Sequence, residues 1–306
     1  MLMLRTLGTM IAALFGLAFG SFLNVCATRW PEGQSIVTPR SHCRSCGRTL
    51  AWHENVPLAS WLALRGRCRQ CGTWIGWRYP LAELAVGAAW ALAAWQSLSV
   101  LADPEPMAVD IFNAALFGIE KMILSWLLVA LAVLDAELLW LPDRLTLGGA
   151  ILGLPFVFLR FAIAWLSRPA SARWTSGMAT HRAHIYDAAV HWIVGVLLAP
   201  AIILFTRWAY RAVRKHEGMG LGDAKLMLLL AVWLGLAHTL LAFVLGVVLG
   251  TAFALALLAF PAARPRAGAT WALARLPFGA FLCAGGLVSA FWGTPMIEAY
   301  LRTAGF

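Results

Sequence analysis

Hydrocarbon offers no hydrogen-bonding partner to an exposed backbone amide, so a run of roughly 20 mostly apolar residues crosses it only as a helix that satisfies its own backbone. About eight such runs follow one another in this chain, at residues 5–28, 81–102, 111–136, 143–166, 185–208, 221–237, 239–260 and 277–300. The sixth is the shortest. The pattern predicts an all-α polytopic membrane protein with about eight transmembrane helices. Composition agrees: 61% of the 306 residues are apolar and 12% are charged, where an ordinary soluble domain carries about a quarter charged residues. A water-soluble enzyme and a disordered chain are both excluded.

The first run, with Arg5 ahead of it, has the outline of a signal peptide. It continues through Ser21-Phe22-Leu23-Asn24-Val25-Cys26 without a convincing small-x-small cleavage site, which favours a retained helix. The pairs Gly16/Gly20 and Gly246/Gly250 have the GxxxG spacing that lets helix backbones approach closely. Lys and Arg total 24 against 14 Asp and Glu, a net charge of +10. Such an excess serves nucleic acid, anionic lipid or the positive-inside bias of membrane proteins. Hydropathy selects the last, so membrane lipid is the expected surrounding and nucleic acid is not a partner. With the amino terminus outside, 17 of the 24 basic residues fall on the cytoplasmic side, among them Lys215, Arg264, Arg266 and Arg275. The Arg168–Arg182 loop is the local exception. The organisation read from this is a first transmembrane helix at 1–28, a cytoplasmic loop at 29–80 and a transmembrane region at 81–306.

The loop carries Cys43-x-x-Cys46 and Cys68-x-x-Cys71, four of the six cysteines. Four thiolates suit tetrahedral zinc, and neighbouring Arg44, Arg48, Arg67 and Arg69 favour the thiolate forms. The 21 residues between the pairs sit just beyond the usual ribbon spacing. Two disulfides are the alternative, one that a reducing cytoplasm disfavours. Cys26 and Cys283, in apolar runs, read as small buried residues.

An ionisable residue at the end of a spanning segment is costly and points to function. Asp135 closes the run Leu127–Leu134, and Asp223 follows Gly218, Gly220 and Gly222 at the start of the sixth run. Both fall at the cytoplasmic edge on different helices. Paired carboxylates share one proton and so provide a general base and a general acid for water activation without a metal. Asp143 competes for this role, but it stands eight residues beyond Asp135, about 12 Å along a helix, past a break at Pro142, and reads better as an N-cap or turn residue. Gly220 and Gly222 supply backbone freedom where unwound chain admits an extended substrate, with a flexible turn as the alternative. His181 and His184 read as surface residues, and Glu120-Lys121 as a neutralised pair or an interfacial boundary.

Taken in order, Gly20-Ser21-Phe22-Leu23-Asn24-Val25, Pro39-Arg40-Ser41-x-Cys43-x-x-Cys46, Glu54-Asn55-Val56-Pro57, Gly66-Arg67-Cys68-x-x-Cys71, Arg78-Tyr79-Pro80-x-x-Glu83, Leu141-Pro142-Asp143, Gly220-x-Gly222-Asp223-x-Lys225 and Pro277-Phe278-Gly279 resemble the bifunctional type IV prepilin peptidase family over nearly the whole chain. Ala280 stands where a proline is common in that family. The resemblance implies an intramembrane aspartyl protease of the bacterial cytoplasmic (inner) membrane, with Asp135 and Asp223 as its dyad on the cytoplasmic side, cutting prepilins and pseudopilins. It also implies methylation of the freed amine from S-adenosylmethionine by the cysteine-bearing region. Glu54, Asn55, Arg78, Tyr79 and Glu83 are the candidates to orient donor and amine, with turn and interface roles as their structural alternative. A transporter or assembly scaffold clipped by zinc would also explain the spans and cysteines, but it would place its acids near the membrane midplane.

Overall fold

The computed structural model describes residues 2–102, 105, 107–166, 177–214, 220–259 and 276–305, without the side chains of 177–184 and 214. Residues 168–176, Lys215, Gly218, Arg264, Arg266, Arg275 and the side chains of His181 and His184 therefore lie outside the described residues, and residues 177–182 of the expected Arg168–Arg182 loop are helical, in α6. The elements in order are α1 (Leu2–Arg29), α2 (Ala59–Ala63), α3 (Arg78–Ser97), α4 (Ala108–Leu138), α5 (Asp143–Leu166), α6 (Gly177–Arg214), α7 (Leu221–Leu234), α8 (Leu236–Ala259) and α9 (Phe278–Ala304). Among the described residues there is no strand, only isolated bridges in the cysteine loop.

Seven of these helices are long and apolar enough to cross a membrane. The sixth apolar run forms α7 instead, 14 residues long and so about 21 Å from end to end. Gly235, at φ 76°, ends it in the left-handed region that glycine enters freely. Leu226, Met227, Leu229, Leu230 and Ala231 on α7 are fully buried. A helix apolar on all faces belongs inside a bundle, and α7 packs against α5, α6, α8 and α9.

The chain forms two compact units, residues 1–133 and 134–306. In the first, α1 packs along α3 at glycines: a Cβ on Gly16 would meet the Gly87 Cα at 2.9 Å, and one on Gly20 the Glu83 Cα at 2.6 Å. In the second, Gly246 sits against the Leu282 backbone, and a Cβ on Gly285 would run into the Ala242 carbonyl. Both GxxxG pairs thus face a neighbouring helix. Lipid gives helices no hydrophobic reason to associate, so such close backbone approach carries their packing. Indole N–H groups add to it: Trp126 donates to the Phe19 carbonyl, Trp90 to Met122, Trp192 to Val232 and Trp233 to Gly149, at 2.9–3.1 Å. Each bond satisfies a polar group that lipid would leave bare.

These contacts make a pair of substitutions informative. Gly285→Val drives a branched side chain into the α8 backbone and should destabilise the protein by about 1–3 kcal/mol. Gly148→Ala, with no atom within 4 Å of its would-be Cβ, should leave the thermal midpoint in detergent unchanged.

Candidate functional site

Both aspartates named from the sequence lie in the second unit, buried, at helix ends. Asp135 is three residues from the end of α4 and 6% exposed, and Asp223 is in the first turn of α7 and 8% exposed. Asp135 Oδ2 accepts the Ala280 N–H at 2.8 Å, in the first turn of α9. The Gly279 amide faces the same carboxyl. Asp223 Oδ2 accepts the Gly220 N–H at 3.2 Å. Each carboxyl therefore meets a backbone amide at a helix amino terminus, the part of a helix that holds an anion. Asp135 lies within electrostatic reach of Asp223. Each lies near an end of its own helix.

Leu141 fills the space around the pair. A Cβ on Gly222 would meet Leu141 Cβ at 3.0 Å, and one on Gly279 would meet Leu141 Cδ1 and Asp135 Oδ2 at 2.9 Å. Neither Gly220 nor Gly222 adopts the left-handed region; Gly222 is helical, and its missing side chain makes room for Leu141. The chain turns from α4 towards α5 at Leu139, whose φ of 50° is left-handed and whose N–H closes onto the Asp135 carbonyl. Asp143 begins α5 and pairs with Lys225 Nζ at 2.5 Å. That pair ties α5 to α7 and leaves Asp143 engaged outside the dyad. Sequence reasoning missed Leu141, Lys225 and the α9 amides; Pro277 at a helix start, with Gly279 and Ala280 in the turn that follows, was the available signal for the last. Glu120 and Lys121 are both buried within α4, and Lys121 Nζ binds Gln96 Oε1.

In the first unit, Cys43, Cys46, Cys68 and Cys71 converge with all four Sγ atoms within 4.8 Å of one another, a group that could hold a metal ion. All six cysteines are free thiols, and Cys26 and Cys283 are buried. The two Cys-x-x-Cys-Gly segments fold alike. Cys43 and Cys68 donate N–H to the carbonyls of Arg48 and Thr73, while Gly47 and Gly72 return theirs to Cys43 and Cys68. Gly47 and Gly72 have φ of 71° and 68°, with open space around both, so backbone conformation alone asks for glycine there. The Thr73 hydroxyl and amide beside Cys71 hold its thiol down, to about 6.

Beside the cysteines opens a cavity of about 650 Å³ lined by Glu54, Asn55, Tyr79 and Glu83 together with Trp61 and Trp74. Arg78 is not on its lining and sits over the Tyr79 ring, 5.3 Å from its centre. Glu54 takes two bonds of 2.7 Å from Arg48 and one of 2.9 Å from the Ala51 amide. The Arg48 guanidinium holds the Glu54 carboxyl below its ordinary range. Glu83 Oε2 accepts the Leu58 N–H at 2.8 Å. Asn24 donates to the Tyr79 carbonyl, and its Oδ1 is buried without a partner on the cavity wall.

Comparison with known proteins bears on both units. Residues 14–97 match the bacterial peptidase A24 N-terminal domain, and residues 122–255 match the type IV leader peptidase family. A prepilin leader peptidase/N-methyltransferase of Xanthomonas campestris pv. campestris is 29% identical, covering 98% of this chain and 96% of its own. One from Klebsiella pneumoniae is 33% identical over 72% of this chain and 83% of its own, and one from Pseudomonas putida is 29% identical over 97% and 94%. No solved structure matches the chain.

The packing around Leu141 gives a prediction independent of activity. Gly222→Ala should lower the thermal midpoint. Because the clash is with Leu141 alone, Leu141→Ala should relieve it, with a coupling of about 0.5–3 kcal/mol between the two sites. Strictly additive losses would show that Leu141 does not fill this space.

Proposed function

Because the chain belongs to the type IV leader peptidase family, we propose that it cleaves the leader from type IV prepilins and type II secretion pseudopilins and then methylates the new amino terminus. The observation that carries the first activity is the meeting of two buried carboxyls, Asp135 and Asp223, at the helix ends of one unit. Two like charges so placed hold one proton between them. The ionised carboxylate takes a proton from water, which attacks the scissile carbonyl, and the protonated partner donates to the carbonyl oxygen and so stabilises the tetrahedral intermediate. The leaving amine takes a proton as the C–N bond breaks. The amide of Ala280 orients Asp135, that of Gly220 orients Asp223, and the exposed backbone at Gly220, with half-buried Gly222 next to it, borders the position of an extended substrate.

S-adenosylmethionine supplies the methyl group for the second activity. Glu54, Asn55, Tyr79 and Glu83 are the residues that would hold it, with Arg78 supporting Tyr79, and the cavity's chemistry fits. Glu83 and Glu32 offer negative charge to a sulfonium, Trp61 and Trp74 offer faces for a base, and Asn24 Oδ1 lacks a partner. Zinc suits the four thiols. A tetrahedron with ~2.3 Å Zn–S arms has edges of about 3.8 Å, and Cys43 Sγ and Cys71 Sγ lie 3.8 Å apart. The working division is a membrane helix at 1–28, a methyl-transfer loop at 29–80 and a peptidase region at 81–306. The basic residues of the loop support placing it and the aspartates on the cytoplasmic side of the inner membrane.

Incubating purified protein with a prepilin peptide and reading product mass tests the peptidase. Asp135→Asn and Asp223→Asn should each reduce cleavage about a thousandfold or more, with thermal midpoint retained, while Asp143→Asn keeps substantial activity. Wild-type rates in both dyad variants would end the reading. For the metal, elemental analysis should find about one zinc per chain, lost on replacing Cys43 or Cys68 by serine. An active preparation with reduced thiols and less than about 0.2 zinc per chain would refute a structural ion.

A further inference from the structure

A second cavity, of about 520 Å³, adjoins the first, and Ser21, Val25, Arg29, Ser41, Leu50 and Asn55 line both. The two share a wall and differ in chemistry. The larger carries Glu32, Glu54 and Glu83 together with Arg29, Arg44, Arg48 and Arg69, Arg48 being paired to Glu54. The smaller has no carboxylate on its lining, and its only charged residues are Arg29 and Arg40. Arg29 is fixed there by the carbonyls of Ser35 and Pro39, at 2.9 and 2.6 Å. Carboxylates that a cationic methyl donor could face are found only in the larger cavity, Glu32 and Glu83 being the two not paired to Arg48.

The rest of the smaller cavity is largely apolar, and α1 contributes Ala18, Phe22 and Val25 to it. These residues belong to a helix long and apolar enough to cross a membrane. On the loop side it is rimmed by Val37 and Trp52, which are 80% and 77% exposed, apolar side chains that a polar loop has no packing reason to present. The charged side chains on its lining, Arg29 and Arg40, are both positive, which favours the neutral, nucleophilic form of a primary amine inside it. Ser21, whose side chain is hydrogen-bonded to Glu83, and Asn55 stand on the shared wall.

Resting on the methyl-transfer reading above, we propose that the smaller cavity is the acceptor subsite. It takes the apolar first residue of a cut prepilin between Phe22, Val37 and Trp52, amine towards Ser21 and Asn55, while the donor occupies the larger cavity. Adjacency to the donor cavity favours this occupant over a phospholipid, which has no need of that neighbour.

The test uses the full-length protein in detergent, S-adenosylmethionine, and a synthetic peptide that begins with Phe and continues as an apolar run. Trp52→Ala and Val37→Glu, both at exposed positions, should raise the peptide KM about tenfold or more with kcat within about twofold. Retention of radiolabelled S-adenosylmethionine in equilibrium dialysis without peptide should be unchanged. A peptide whose first residue is photoreactive benzoylphenylalanine should crosslink to the lining of the smaller cavity. Crosslinks on Trp61, Trp74 or Tyr79, or an unchanged peptide KM in both variants, overturn the assignment. So does loss of the crosslink on adding phosphatidylglycerol but not phosphatidylcholine, which would identify a lipid site. Crosslinking in the smaller cavity without any methyl transfer by the wild-type protein would support the subsite and count against the methyl-transfer reading instead.

Discussion

A carboxyl at the edge of hydrocarbon is tolerated only where fixed dipoles replace the water it has lost, and the second unit is arranged around that requirement. Asp135, at the end of α4, is met by the first amides of α9; Asp223, at the start of α7, is met by the amide of Gly220. Helix amino termini are the one part of a helix with amides to spare. Bringing them close demands small residues, and Gly279 and Gly222 leave the space that Asp135 and Leu141 fill. Ala280 supplies an N–H that a proline there would lack. The placement of the two carboxyls thus depends on backbone approach as much as on their own side chains.

The first unit solves a different problem. Its loop, with helix α2 of only five residues, has little apolar core of its own, so order comes from local closures. The two Cys-x-x-Cys-Gly turns, the Arg48–Glu54 pair and the mutually packed rings of Trp61, Trp74 and Trp77 supply it. A metal bridging the turns would join segments far apart in sequence, as small domains without large cores generally need. The two cavities lie between this loop and α1, so the same closures that order the loop shape them.

Features set by local pattern were legible in the sequence: the membrane runs, the Cys-x-x-Cys pairs, both GxxxG stripes and the two acids at run ends. Features set by tertiary neighbours were not. The run at 221–237 is as apolar as its neighbours, and only Gly235 and the four helices around it make it a short buried element. Gly222 reads as a flexible hinge until Leu141 is seen against it. Asp143 reads as a cap until Lys225 is found 82 residues away. Glu54 reads as a free carboxylate until Arg48 is seen to hold both its oxygens. Arg78 belongs to the same motif as Tyr79 and Glu83, yet a helix turns successive side chains by about 100°, which is why adjacency in sequence did not put it on the cavity wall.

The claim on which most rests is that Asp135 and Asp223 act as one unit. Binding of a non-cleavable peptide isostere, with a hydroxyl in place of the scissile amide, measures this directly. Affinity would be compared in the wild type, Asp135→Asn, Asp223→Asn and the double variant. If the pair grips the hydroxyl jointly, each single substitution loses nearly all the affinity that the double one loses. Independent, additive losses would contradict the account.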